Sequence, residues 1–270
     1  GGPWNVIVNN INATNQSYQW NPIPNAISNT VRVRVSEVEG SEAVGTSEVN
    51  CAIIGSVALN APTTGAVWYV DGVGQINWTP TGTFSNVTII GSLDNFTTNF
   101  TINSSVPAGA TGVEQTYNWT VTDQISDVVR IRVADGNATR TALVNGTSDE
   151  FSIKGVINVT APAVSEVVYA NSTYQYIQWN TNGTIGNVSV RLRYSGSNWY
   201  NITNTTCTGA GCSGQGESTY TWLVPGNIKA ENCFINITDV GDSAVSDESA
   251  QFSLRPRINV SSPATEQSIY

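Results

Sequence analysis

Asparagine two residues ahead of serine or threonine is the commonest chemistry-bearing pattern in this chain. The triplet starts at Asn12, Asn15, Asn77, Asn86, Asn95, Asn99, Asn103, Asn118 and Asn137. It starts again at Asn145, Asn158, Asn171, Asn182, Asn187, Asn201, Asn204, Asn236 and Asn259, eighteen times in 270 residues. Such an amide nitrogen is an acceptor for an N-linked sugar, a bulky and solubilising group that has to sit at the surface. The excess over chance pairing points to a glycosylated exterior. The plain alternative is a set of polar strand faces rich in Asn and Thr that carry no sugar. Asn77 and Asn118 each precede a Trp expected in the core, so alternation turns both asparagines outward.

The four cysteines divide into two kinds. Cys207 and Cys212 enclose Thr-Gly-Ala-Gly, a loop short enough to bring two Cα atoms within bridging distance, and a local disulfide is expected in an oxidising compartment. A metal site is the rival, but the chain has no His and only four Cys, too few for a closed zinc shell. Cys233 stands where Val129 stands in the preceding repeat, and Cys51 where Phe151 and Phe252 stand. Both are expected as buried small hydrophobes. A Cys51–Cys233 bond within one chain would join non-adjacent modules; a bond between neighbouring chains is the alternative.

Catalysis finds few candidates. Without His there is no Ser–His or Cys–His relay and no His-based metal centre. The neighbours Asp149/Glu150 and Asp247/Glu248 are of the type that glycoside hydrolysis uses. They recur just before the last strand of each repeat, as Glu48 does, which suits an exposed turn better. Asp239 and Asp242 invite a calcium ion between modules, but no Asp-x-Asp ligand run accompanies them. The reading is a non-enzyme with no cofactor. The Arg-x-Arg pairs Arg32/Arg34, Arg130/Arg132 and Arg191/Arg193 stand on outward strand faces. They either grip an acidic glycan or a neighbouring module's carboxylates, or form cross-strand ion pairs on a solvated face.

The elements that must position these groups are strands. In Asn187–Tyr194, Val188, Val190, Leu192 and Tyr194 alternate with Asn187, Ser189, Arg191 and Arg193, the two-residue period of a half-buried strand. Val31, Val33 and Val35 alternate with Arg32 and Arg34 in the same way. Gly, Asn, Asp and Pro punctuate the chain about every 8–12 residues. No stretch has helical spacing. Short strands at this cadence predict an all-β fold of tandem immunoglobulin-like antiparallel sandwiches, with Trp78, Trp119, Trp179 and Trp222 contributing to the cores.

Internal comparison sets the domain plan. CAIIGSVALNAP, FSIKGVINVTAP and FSLRPRINVSSP end at Pro62, Pro162 and Pro263, spaced by 100 and then 101 residues. Each copy joins the last strand of one module to the first of the next. Residues 56–155 and 156–255 then read as complete modules, 1–55 as the C-terminal half of a module and 256–270 as the first strand of another. With no Met even at position 1, the chain is expected to be a piece of something longer. A half sandwich exposes unpaired edges, so copies of itself or adjacent modules of the same chain are the expected partners.

A net charge of −9 and a pI near 4.4 argue against nucleic acid, because nothing would neutralise phosphates. No apolar run reaches the length of about 20 residues that spans a bilayer.

The ordered motifs P-x(n)-W-x(n)-I-x-W, N-V-x-I, Y-x-W-x-V, I-R-V and S-x-x-F-x-I resemble the immunoglobulin-like repeat of the Ser/Thr-rich GPI-anchored membrane and yeast cell-wall glucan-synthesis families, with similar modules in very long prokaryotic surface proteins. The resemblance covers nearly the whole chain. It implies a sandwich at a cell surface or wall and carries no catalytic residues across. The expected function is structural: a segment of a glycosylated extracellular stalk, coat or filament. The alternative is a carbohydrate-binding or adhesive module using Trp4, Trp199 and Tyr200 as stacking platforms. A weaker third option is an accessory module of a wall-remodelling enzyme.

Overall fold

A computed structural model describes residues 3–38, 42–206 and 217–258. All regular structure in it is β, and among the described residues no helix is long and apolar enough to cross a membrane. The first four strands are β1 (Ser28–Val31), β2 (Arg34–Ser36), β3 (Val44–Thr46) and β4 (Cys51–Ile53). They form two separate two-stranded ladders, β1–β4 and β2–β3. Strands this short leave most of their side chains in solvent; Val35 is 64% exposed. Cys51 is exposed for the same reason, contrary to the buried position its place in the repeat predicts.

Next come β5 (Ser56–Ala61), β6 (Val67–Tyr69), β7 (Val73–Thr81), β8 (Asn86–Ser92), β9 (Phe100–Pro107), β10 (Gln115–Thr120), β11 (Ser126–Asp135), β12 (Asn145–Thr147) and β13 (Phe151–Lys154). One sheet is ordered β10-β7-β5, the other β6-β13-β11-β8-β9 with β12 on β11. The same plan then repeats with β14 (Val156–Ala161), β15 (Val167–Tyr169), β16 (Thr173–Asn182), β17 (Asn187–Tyr194), β18 (Asn198–Thr206), β19 (Glu217–Leu223), β20 (Ala230–Asp239), β21 (Ser246–Glu248) and β22 (Phe252–Arg255). Its sheets are β14-β16-β19 and β15-β22-β20-β17-β18, with β21 on β20. The result is two sandwich-like domains, the plan expected of immunoglobulin-like modules. Antiparallel pairing dominates, but β6 runs parallel to β13 and β15 parallel to β22.

Alternation does what the sequence requires of it. On β17, Val188, Val190 and Leu192 are fully buried, while Ser189, Arg191 and Arg193 face the other way and are half-buried. On β7, Ile76 and Trp78 are buried, and the Trp78 indole Nε1 donates to the Ala108 carbonyl at 3.1 Å, so its polar edge is satisfied. The second sandwich packs Ile157, Ile177, Trp179, Val190, Trp222, Ile235 and Phe252 into one cluster.

By density of contacts the chain falls into two compact units, residues 1–64, 75–119 and 129–150, and residues 65–74, 120–128 and 151–270. These units cut across the sequence repeat.

Candidate functional site

Of the acceptor asparagines, Asn12, Asn15, Asn86, Asn95, Asn99, Asn118, Asn137, Asn158, Asn171, Asn187 and Asn201 are exposed. At Asn12 and Asn137 the hydroxyl two residues on, from Thr14 and Thr139, donates to the amide oxygen at 3.0 and 2.8 Å. Asn77, Asn103, Asn145 and Asn182 are half-buried, and three of these amides are already engaged. Asn103 donates to the Tyr117 hydroxyl, Asn145 to the carbonyls of Thr141 and Ala142, and Asn182 to Asp71 Oδ2. Asn77 is turned in further than alternation predicts, with a buried Oδ1 that has no hydrogen-bond partner among the described residues.

Asn236 departs from the expectation outright. It is 8% exposed, its Oδ1 accepts from Arg191 Nη2 and Thr238 Oγ1, and its Nδ2 donates to the Asp247 carbonyl. A bulky sugar has no room there in the folded chain. The expected Cys207–Cys212 disulfide and the Asn259 acceptor lie outside the described residues. The backbone of Asn204 pairs with Ser189.

The carboxylate pairs do not converge. Asp149 accepts from the Thr64 hydroxyl at 2.7 Å and Glu150 pairs with Arg130 at 3.1 Å. Asp247 accepts from the Val159 backbone at 2.8 Å, and Glu248 takes both Nε and Nη2 of Arg193 at 3.0 and 2.7 Å. Asp149 ties two loops together, Glu150 ties a loop to β11, and Asp247 and Glu248 tie β21 to β14 and β17. Asp239 caps Gly241 through its backbone N–H, and Asp242 pairs with Lys154. Among the described residues no three metal-ligating side chains cluster. Cys233 is fully buried, and loss of solvent pushes its thiol pKa up despite an opposing backbone hydrogen bond at Leu254.

Two arrangements do repeat. The first is a corner. In the first unit, Thr83 N–H donates to Asn25 Oδ1 at 2.8 Å and Asn25 Nδ2 donates to Thr83 Oγ1 at 2.7 Å. Gly82 beside them has φ +92°, and a Cβ there would lie 2.9 Å from Ile27 Cδ1. In the second unit, Thr184 donates through both N–H and Oγ1 to Asp123 Oδ2, at 2.9 and 2.6 Å. Gly183 has φ +82°, and its Cβ would lie 2.9 Å from Ile125 Cδ1.

The parts are equivalent in sequence: Gly-Thr follows Trp78 and Trp179 by the same interval, and Asn25-x-Ile27 matches Asp123-x-Ile125. Only glycine takes a left-handed φ at no steric cost, and only a residue without Cβ lets the isoleucine come that close. The sequence reading missed this corner, although the repeated Gly-Thr was its visible signal. In the second unit, Asn182 to Asp71 at 3.0 Å and Lys154 to Asp242 reinforce it.

The second arrangement is an arginine laid on an aromatic ring. Arg34 lies 4.6 Å from the centre of Trp4, Arg132 3.8 Å from Phe96 and Arg191 4.7 Å from Trp199. Trp4 and Trp199 are 48% and 45% exposed, so neither belongs to a core. Arg130 and Arg193 meet carboxylates as ion pairs, whereas Arg34, Arg132 and Arg191 have none among the described residues. Arg193 does both, lying 4.1 Å from the centre of Phe234 while paired with Glu248.

No protein-family model matches the chain, and no curated protein matches it in sequence. The narrower resemblance to the GPI-anchored and cell-wall families therefore has no support from either. Solved structures do resemble it. The fibronectin(III)-like modules of CbhA from Clostridium thermocellum are 13% identical, covering 74% of this chain and 94% of that one, with a TM-score of 0.23. Titin domains Z1Z2 in complex with telethonin are 14% identical, covering 75% and 98%, with a TM-score of 0.23. Another titin fragment is 10% identical over 74% and 98%, with a TM-score of 0.33. At these scores the likeness adds no argument beyond the strand order itself.

Proposed function

We propose that this chain is a segment of a long, glycosylated, extracellular tandem-repeat protein whose work is mechanical, as a surface stalk, coat or filament. The observation that carries the reading is the recurrence of the glycine–threonine corner at equivalent positions in both units, closed by Asn25 in one and Asp123 in the other. Exposure of eleven acceptor asparagines supports a sugar coat. The expected partners are adjacent modules or further copies of the chain, because residues 3–55 expose so much apolar surface. The test is intact-mass and sedimentation analysis of native material. An assembled or much longer glycosylated species supports the reading. An unmodified, monodisperse 28.7 kDa monomer overturns it.

A second reading, as a carbohydrate-binding or adhesive module, is favoured by one observation: Trp4 and Trp199 lie half-exposed on the surface instead of in cores.

A further inference from the structure

The outer face of β8 and β11 carries an arginine, Arg132, whose fork forms no ion pair among the described residues. Arg132 is fixed from two sides: its Nε donates to Thr147 Oγ1 at 3.3 Å, and its guanidinium lies over the Phe96 ring. Its two terminal nitrogens make no hydrogen bond or ion pair with the described residues. Phe96 is held in place at a cost. Its φ is +66°, a conformation that L-residues with large side chains avoid. The turn that imposes it is tied by Ser92 Oγ, which accepts from Phe96 N–H at 2.8 Å, and by Asp94, which accepts from both the N–H and the hydroxyl of Thr98.

Beside the guanidinium lies a concavity of about 520 Å³ bordered by Thr88, Ile90, Thr141, Ala142 and Asn145. Its lining includes one cation and no acid. The second sandwich keeps a cation at the same place by a different route. There Arg191 on β17 faces Asn236 on β20, whereas in the first sandwich Ile90 on β8 faces Arg132 on β11. The arginine has changed strands across the rung, yet a guanidinium still lies on an aromatic ring.

We propose that this face binds the carboxylate of an acidic saccharide of the uronic-acid class, with Arg132 as anchor in the first sandwich and Arg191 in the second. The Arg132 fork, whose terminal N–H groups have no partner among the described residues, matches a carboxylate, and pre-ordering by Phe96 and Thr147 lowers the entropy lost on binding; Arg191 offers Nη1, its Nη2 donating to Asn236 Oδ1 at 3.0 Å. The volume suits a small ligand. The Thr88 and Thr141 hydroxyls and the Asn145 amide already donate to carbonyls of the chain, so it is their oxygens that are left to accept from sugar hydroxyls, and Ile90 with Ala142 fits ring C–H faces. A peptide adding as a strand finds no edge here, because β8 and β11 are both interior to their sheet. The proposal gives the adhesive reading a ligand class, and its failure leaves the mechanical reading standing.

The test is calorimetric titration of the 270-residue chain with a galacturonic acid trimer, with maltotriose and triglutamate as controls. The acidic trimer is expected to bind, and Arg132→Ala with Arg191→Ala to weaken it by about tenfold or more, the loss of a charge-assisted bidentate contact. Arg132→Lys and Arg191→Lys, which keep the charge and the stem, are expected to weaken binding less but measurably, with an unchanged thermal midpoint. They decide the matter if the alanine variants unfold. No binding of the acidic trimer, equal binding of maltotriose or triglutamate, or affinity indifferent to both sets of variants overturns the proposal.

Discussion

Replacing Asp123 by alanine removes the acceptor for two hydrogen bonds from Thr184, at 2.9 and 2.6 Å, while leaving the apolar contact between Ile125 and Gly183 in place. Hydrogen bonds to a charged acceptor contribute about 1.5–3 kcal/mol each when shielded. Asp123 and Thr184 are both exposed, so water replaces much of what is lost. The expected cost for opening the corner is therefore about 1–2 kcal/mol in total. That corresponds to roughly fivefold to thirtyfold faster exchange of the Thr184 amide by local opening. Amide hydrogen exchange read at residue 184 is the assay. The chain supplies its own control, since Asn25 makes the equivalent contacts to Thr83 without a charge. Asp123→Asn is accordingly expected to retain the slow exchange to within about threefold, a difference below 1 kcal/mol. If the asparagine variant exchanges as fast as the alanine variant, charge and not geometry closes the corner and the reasoning fails. If neither variant changes the rate, the corner holds nothing.

Gly183→Ala forces a Cβ into a left-handed residue within 2.9 Å of Ile125 Cδ1 and Val70 Cγ2, and is expected to cost about 1–3 kcal/mol in urea unfolding. Gly65→Ala, at φ +75° with nothing within 4 Å, isolates the backbone part and is expected to cost about 1–2 kcal/mol. Ile237→Ala deletes a fully buried side chain of the second sandwich and is expected to cost about 2–5 kcal/mol; a loss below about 1 kcal/mol would show that this strand is not core.

The Lys154–Asp242 pair sets a pH dependence. Lys154 holds the Asp242 carboxyl below its ordinary 3.8, so the stability it brings is present above that value and is lost as pH falls through the lowered pKa. Lys154 is raised above 10.5 by Asp242, so its part persists below that value and is lost as pH climbs past the raised pKa. Lys154→Gln should flatten both limbs in a thermal-midpoint profile between pH 2 and 12, and an unchanged profile would refute the pair's role. Peptide mapping of native material should find sugar at Asn12 and Asn137 and an unmodified Asn236.

The strands were legible because their signal is local. The alternation of Val188, Val190 and Leu192 with Ser189, Arg191 and Arg193 needs no knowledge of what lies opposite, and burial follows the same period. The repeat made the plan legible too, since two copies of one strand order obey one set of core positions, with Trp78, Trp119, Trp179 and Trp222 all buried. Reading Cys51 by analogy with Phe151 and Phe252 failed, because burial depends on what packs over a position and not on its place in a repeat, and Cys51 faces solvent.

What the sequence determined by itself was the period, the repeat and the chemical inventory: strands, duplicated sandwiches, abundant acceptors, no histidine. Tertiary structure decided what each polar group meets. Arg130 and Arg132 sit two residues apart with the same alternation, yet one meets Glu150 and the other lies on Phe96. Asn236 and Asn137 share one triplet pattern, yet one is enclosed by Arg191 and Thr238 and the other faces solvent. Asp123 finds Thr184 across 61 residues. Side-chain direction is fixed by φ and ψ at short range, whereas partners are fixed by which distant strands come to lie side by side, a property of the whole chain and not of any segment.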